Sequence, residues 1–426
     1  MTDSSTSGFT DAELETMIQA AHREYAAARP RSRAAHERAR KVLAGGNTRS
    51  VLHFDPFPFR VANGEGIVLE DIDGHRYVDF CGNYSAALLG HRPDSIRKAI
   101  DQALDRGWAL GAVQEPEIEL GELFCARFAS VERVRFANSG TEANLMAVGT
   151  ALHHTGRSGV GVFDHGYHGG VMAFGDLAGP HHPLNVPHRF HVSPFDDIAA
   201  LDALFALPDL GCVLVEPVQG SGGCRPASNE FLSELRRRCD DTGVVLIFDE
   251  VMTSRLAPGG AQERYGVTPD LTTFGKYLAG GLSFGAFGGR ADIMDAFDPA
   301  VGGRLSQAGT FNNNALSLAA SVAVMRHELD DERIVAVNAS GDRLREQLSQ
   351  AFERSGAPLW VTGMGSMLCV HADDPRLVEL FFHAMLARGH YVARRGYMAL
   401  SMLITSEHIA ELVDDASAWA SGLVGR

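Results

Sequence analysis

The chain has 426 residues, enough for two or three packed units, and its 45% apolar residues are ample for their cores. A net charge of −15 argues against nucleic acid as a partner and for a soluble, self-repelling surface. Six scattered cysteines (81, 125, 212, 224, 239, 369) form no Cys-x-x-Cys pair and read as reduced thiols of a cytoplasmic protein.

The first residues, 1–9, are polar and read as disordered. They lack the basic start and apolar core of a signal peptide. No apolar run approaches the roughly 20 residues of a membrane span, so the Asn-x-Ser matches at Asn83 and Asn338 are expected to be chance. Thr10-Asp-Ala-Glu13 is a capping box that opens a helix through about Ala28, which Pro30 ends. A second, basic helix runs from about Ser32 to Gly45-Gly46. The stretch Ile67–Phe80 reads as a hairpin turning at Asp73-Gly74.

From about 95 to 325, helical stretches alternate with short apolar runs: Arg133–Ala137, Gly159–Phe163, Cys212–Val215, Val244–Phe248, Leu271–Phe274 and Phe284–Gly288. Such runs, without polar alternation and separated by helices, imply an α/β fold with a mostly parallel sheet covered on both faces. Ligands of such sheets bind beyond the carboxyl ends of the strands. Those ends carry Asn138-Ser-Gly-Thr, Asp164-His-Gly-Tyr-His, Glu216-Pro, Asp249-Glu and Gly275-Lys. After about residue 328 come a helix, a strand region (Leu359–His371), another helix and a final one from Ser406. The expected organisation is an N-terminal segment (1–75) that shares a smaller α+β domain with 329–426, and a large domain over 76–328.

Each strand end has a plain reading beside a chemical one. Ser139, Gly140 and Thr141 suit an ordinary N-cap, or a phosphate held by free amides and the helix dipole. Tyr167 lies among glycines and suits a flat heteroaromatic ring. His165 and His168 have no partner acids or cysteines at ligand spacing, so no metal is expected there; His168 is a candidate for lining the pocket. Glu216 and Asp249 suit structural carboxylates. Asp249 also suits a carboxylate that keeps a pyridine nitrogen protonated, with Glu250 pointing elsewhere. Lys276, between an apolar strand and Gly280-Gly281, suits a nucleophile and base better than a solvated lysine. A lysine and a carboxylate at two strand ends are what a pyridoxal 5'-phosphate enzyme needs.

In order and spacing, Asn138-Ser-Gly-Thr-Glu-Ala, Tyr167-His168-Gly169, Glu216-Pro217, Phe248-Asp-Glu-Val251 and Thr273-Phe-Gly-Lys276 resemble the class III (ω-type) aminotransferases. The resemblance runs from about Ala44 to the C-terminus. It implies the aspartate-aminotransferase-like fold (pyridoxal phosphate fold type I), whose large domain has a mostly parallel seven-stranded sheet. Two branches compete. The general layout is similar to glutamate-1-semialdehyde aminomutase, which moves an amino group within one molecule. The Arg49-Ser-Val, Met252–Pro258, Gly309-Thr-Phe-Asn-Asn-Asn and Arg395-Gly396 stretches look more like the bacterial β-phenylalanine (aromatic β-amino acid) aminotransferases. That branch implies a β-amino acid donor with 2-oxoglutarate or pyruvate as acceptor.

Carried over by resemblance, Lys276 is the Schiff-base lysine, Asp249 pairs with the pyridine nitrogen and Tyr167 stacks on the ring. Ser139, Gly140 and Thr141 hold the phosphate, with Glu216 beside the cofactor. Thr310 reaches the phosphate in a neighbouring subunit, which implies a homodimer. Arg49 and Arg395 resemble two carboxylate-binding arginines, and Tyr84 a tyrosine near the substrate. A decarboxylase or racemase on this fold, or a binding protein without catalysis, are the other readings. Intact Lys276 and Asp249 argue against the last.

Overall fold

The computed structural model describes residues 8–175 and 182–425. The expectation of disorder over 1–9 falls mostly on residues outside that range. The chain divides into two compact units, one from residues 1–92 with 339–426 and one from 93–338. These divisions fall further along the chain than the 75/76 and 328/329 boundaries expected from the sequence.

The terminal unit opens with the helix Asp11–Ala28, whose Thr10 and Glu13 form the reciprocal capping box. The second helix starts at Pro30, not Ser32, with the proline in its first turn, where a missing N–H costs nothing. Three strands follow, β1 (Val61–Glu65), β2 (Val68–Asp71) and β3 (Arg76–Asp79). β2 and β3 are the expected hairpin, and β1 adds to it antiparallel.

The central unit contributes β4 (Arg133–Ala137), β5 (Gly159–Phe163), β6 (Arg189–Ser193) and β7 (Leu210–Val215). Two short strands pair in a separate ladder, β8 (Val218–Gln219) and β9 (Arg225–Pro226). Then come β10 (Val245–Asp249), β11 (Leu271–Gly275) and β12 (Gly285–Gly289). The main sheet has seven strands in the order β4-β12-β11-β10-β7-β5-β6. All pairings are parallel except those of β12, which runs antiparallel to both β11 and β4. Strands β5, β7, β10, β11 and β12 are buried at every residue, which explains their unbroken apolar character.

The helix Gly140–Thr155 lays Ala143, Ala147, Val148 and Ala151 against Val160, Cys212, Leu214, Val245 and Ile247 of the sheet. Alanines bring its axis close to the strands, and that closeness fixes where its N-terminus stands.

The chain returns to the terminal unit within the helix Asp331–Ser355, then forms β13 (Trp360–Met364) and β14 (Met367–His371) as a hairpin. The helix Pro375–Ala387 follows, then β15 (His390–Tyr391), β16 (Tyr397–Ala399) and the final helix Ser406–Val424. β15 joins β3 in parallel and β16 joins β14. Leu14 and Ile18 of the first helix pack with Leu377, Leu380 and Leu423. Among the described residues no helix is long and apolar enough to cross a membrane.

Candidate active site

In the central unit the chemistry gathers at the carboxyl ends of β10 and β11. Asp249 is the last residue of β10 and pairs in register with Thr273 of β11, three residues before Lys276. Lys276 begins a short 3-10 turn with φ of +54°, in the left-handed region that a side chain makes costly. Its sheet neighbours thus hold the lysine at a strand exit in a backbone shape it would not choose alone.

Asp249 is buried, and three groups aim hydrogen bonds at it. Asn144 Nδ2 donates to Oδ2 at 2.8 Å, His168 Nδ1 lies 2.8 Å from the same oxygen, and the Val251 N–H donates to Oδ1 at 3.0 Å. A carboxylate only accepts, so Nδ1 of His168 carries the proton. His168 is 2% exposed. Asn144 in turn accepts from Thr273 Oγ1 at 2.6 Å and donates to the His168 carbonyl at 3.1 Å. Glu250 points away, accepting from the Ala261 and Gln262 N–H groups and from Gln262 Nε2. Burial pushes its carboxyl up to about 7.

Ser139 caps the helix Gly140–Thr155 by accepting from Glu142 N–H, while the Glu142 carboxylate accepts from Asn138 N–H. The first-turn N–H groups of Gly140 and Thr141 have no partner in the helix itself. Gly169 crosses close by; a Cβ there would stand 2.3 Å from Thr141 Oγ1. The turn before it presents Tyr167, 42% exposed, at the surface of the unit. Glu216 fixes that turn, since its carboxylate accepts from Tyr167 N–H at 2.9 Å and from Gly220 N–H at 3.0 Å. Burial, with Asp249 adding to it against the opposing pull of His168, raises the Glu216 carboxyl to about 7. Thr310 lies exposed in a loop beside Phe311, which is also exposed.

The terminal unit carries a second cluster. Gly82, Asn83, Tyr84 and Ser85 have φ of +55°, +46°, +54° and +74°, a single left-handed turn closed by Ala87 N–H donating to the Gly82 carbonyl. It brings the Tyr84 ring close to two guanidinium groups. The Arg49 carbon Cζ is 5.6 Å and the Arg395 Cζ 5.5 Å from the ring centroid. Tyr397 stacks on Tyr84 at 5.6 Å, Tyr84 Oη donates to the Val51 carbonyl, and Arg49 Nη1 donates to Asn83 Oδ1 at 2.8 Å. Burial raises the Tyr84 phenol well above its usual range, so it stays protonated. A cavity of about 460 Å³ is lined by Val51, His53, Tyr84, His371 and Arg395. Sequence reasoning singled out Arg49, Tyr84 and Arg395; it missed Tyr397, Asn83 and the Asn144–Thr273 pair.

A lysine and a carboxylate at adjoining ends of a doubly covered, mostly parallel sheet define a pyridoxal phosphate enzyme of fold type I. The family model for aminotransferase class-III matches residues 52–418, and the chain belongs to that family. It is an aminotransferase that depends on pyridoxal phosphate. A β-phenylalanine transaminase of Variovorax paradoxus is 41% identical over 97% of this chain and 98% of its own. A glutamate-1-semialdehyde 2,1-aminomutase of Methanothermobacter thermautotrophicus is 37% identical over 91% of this chain and 98% of its own. A crystal structure of a β-phenylalanine aminotransferase from Variovorax paradoxus superposes with a TM-score of 0.93, covering 96% of this chain and 98% of that one at 41% identity.

Proposed function

We propose that the enzyme moves the amino group of an aromatic β-amino acid of the β-phenylalanine kind to a keto acid, 2-oxoglutarate or pyruvate. The observation that carries this reading is the pair of guanidinium groups, Arg49 and Arg395, on the Tyr84 ring. In a β-amino acid the carboxylate sits one carbon further from the reacting centre than in an α-keto acid. A site serving both must bind carboxylate in two places or poses, and two forked cations beside an aromatic platform supply them. The 41% identity to a β-phenylalanine transaminase supports the same substrate class.

The residues of the central unit suit the cofactor. Free amides at a helix start, with Ser139 and Thr141, match a phosphate dianion. Asp249, held by three donors, keeps acceptor capacity for a protonated ring nitrogen. When bound, pyridoxal phosphate supplies an aldehyde for the amine and a ring that draws electrons from the reacting carbon. In this reading Lys276 holds the cofactor, then moves the proton on the substrate's amine-bearing carbon through Nζ. Asp249 holds the proton on the ring nitrogen, and Tyr167 covers the ring. Glu216 positions Tyr167 through its backbone. Thr310 serves the phosphate site of a second subunit, making the enzyme a homodimer, and the six scattered cysteines, with no Cys-x-x-Cys pair, support a cytoplasmic location.

The test is a half-reaction screen. Holoenzyme is mixed in turn with β-phenylalanine, β-alanine, glutamate and glutamate-1-semialdehyde while the bound cofactor's absorbance is followed. β-Phenylalanine is expected to change the spectrum fastest, and turnover to need a separate keto acid. Turnover of glutamate-1-semialdehyde alone, with no added acceptor, would overturn the assignment in favour of the aminomutase.

A further inference from the structure

We propose that His22, Glu379 and His383 form a site for a borderline divalent cation, such as Zn²⁺, that ties the first helix to the helix Pro375–Ala387. Glu379 and His383 are four residues apart, so they share a face of their helix, and His22 meets them from Asp11–Ala28. One ligand atom from each residue lies within 4.8 Å of the others, and His22 Nε2 stands 2.9 Å from Glu379 Oε1. Two imidazoles, one carboxylate and a water complete the four positions of a zinc ion, whose bonds of about 2.0–2.1 Å put ligand atoms roughly 3.4 Å apart. The cluster therefore needs only side-chain adjustments, and His22, at the rim, is placed to make them.

The second observation is His383 itself. It is 6% exposed, yet neither ring nitrogen makes a hydrogen bond of ordinary geometry. Buried polar atoms are nearly always paired, and the Asp55 backbone can serve only one of the two nitrogens, so the other calls for a partner. Burial, with His22 adding to it, pushes its pKa down to about 4, so the ring is neutral and keeps a lone pair. The Asp55 backbone is close enough to favour a proton on that ring, as outer-shell carbonyls do for metal-bound histidines. Arg394 Nη2 holds the other oxygen of Glu379 at 2.9 Å and orients the carboxylate. Arg394 and Arg29 are also the positive charges that oppose a cation here, so micromolar rather than nanomolar binding is expected. A cavity of about 540 Å³, lined by Tyr25, Arg29 and His383 among others, gives access to the ring.

In the sequence the question of a metal arises only at His165 and His168, where none is expected; His22 and Glu379 are 357 positions apart, so no local spacing joins them. The competing description is an ordinary His22–Glu379 ion pair, with His383 as an aromatic filler packed edge-on against Tyr25 and Phe54.

The deciding experiment titrates the holoenzyme with Zn²⁺ against a chromophoric chelator and with Co²⁺ for its ligand-field absorption. Wild type, His22→Ala and His383→Gln are compared. The proposal expects about one cation equivalent per chain in wild type and a tetrahedral Co²⁺ spectrum. It also expects at least roughly tenfold weaker binding in either variant, and slower amide exchange over 11–28 on adding Zn²⁺ to wild type alone. Equal binding by wild type and His22→Ala, or a Co²⁺ spectrum of octahedral type, would overturn it. The outcome is independent of which substrate the enzyme uses.

Discussion

Asn144 joins the two strand ends of the site. Its Nδ2 donates to Asp249 Oδ2 at 2.8 Å, while its Oδ1 accepts from Thr273 Oγ1 at 2.6 Å. One buried amide thus ties the end of β10 to β11, the strand that leads to Lys276. Asn144→Ala leaves a buried hydroxyl short of its acceptor and a carboxylate short of a donor. We expect it to lower stability by about 1–3 kcal/mol and to weaken retention of pyridoxal phosphate. Denaturant unfolding and dialysis against cofactor-free buffer measure the two effects, and an unchanged protein in both would sink the idea.

Lys276→Ala is expected to abolish turnover and the visible absorbance of the bound cofactor, with the fold retained by circular dichroism. Survival of either signal would remove the central assignment.

The two arginines separate by kinetics. Arg49→Ala and Arg395→Ala should each cost about 2 kcal/mol, or roughly thirtyfold, in kcat/KM for at least one of β-phenylalanine and 2-oxoglutarate. Lysine at either position should not restore it, since a lysine lacks the planar fork. Unchanged kcat/KM for both substrates in Arg49→Ala would mean that this arginine binds neither carboxylate.

The buried Glu250 makes a pH prediction whose sign follows from linkage. Its carboxyl is raised to about 7 by burial. Between about 4.5 and 7 the folded state therefore binds the proton more than the unfolded state does, and this residue's contribution to stability falls as pH rises. Glu250→Gln should flatten that fall, by on the order of 2–3 kcal/mol across the window. Unfolding midpoints from pH 5 to 8 test it, and parallel curves for the two proteins would refute it.

Ser85 has φ of +74° and a buried hydroxyl with no hydrogen-bond partner. Ser85→Gly removes both penalties, so we expect stability to rise by about 1–2 kcal/mol. A lower melting temperature would show that the serine packs better than its unpaired hydroxyl suggests.

What the sequence exposed and what it hid divide along physical lines. Asp249 and Lys276 were legible because each ends an apolar run, and strand ends of covered parallel sheets are where polar residues have work to do. The edge strand β6 was not, because Arg189, His191 and their partly exposed neighbours give no apolar run. Strand β1, Val-Ala-Asn-Gly-Glu, is likewise largely exposed and shows no alternation. Pro30 read as a stop and also proved a start. Asn144 looked like any polar residue in a helix, because its partner Asp249 is 105 positions away.

The backbone at Lys276 prefers a residue without a side chain. At φ of +54° glycine would sit without strain where lysine does not. The position proposed to hold the cofactor is therefore one where an inert substitute would suit the backbone better. A search that rewards heat resistance alone would drift toward losing the amine, so any effort to toughen this enzyme has to select for turnover at the same time.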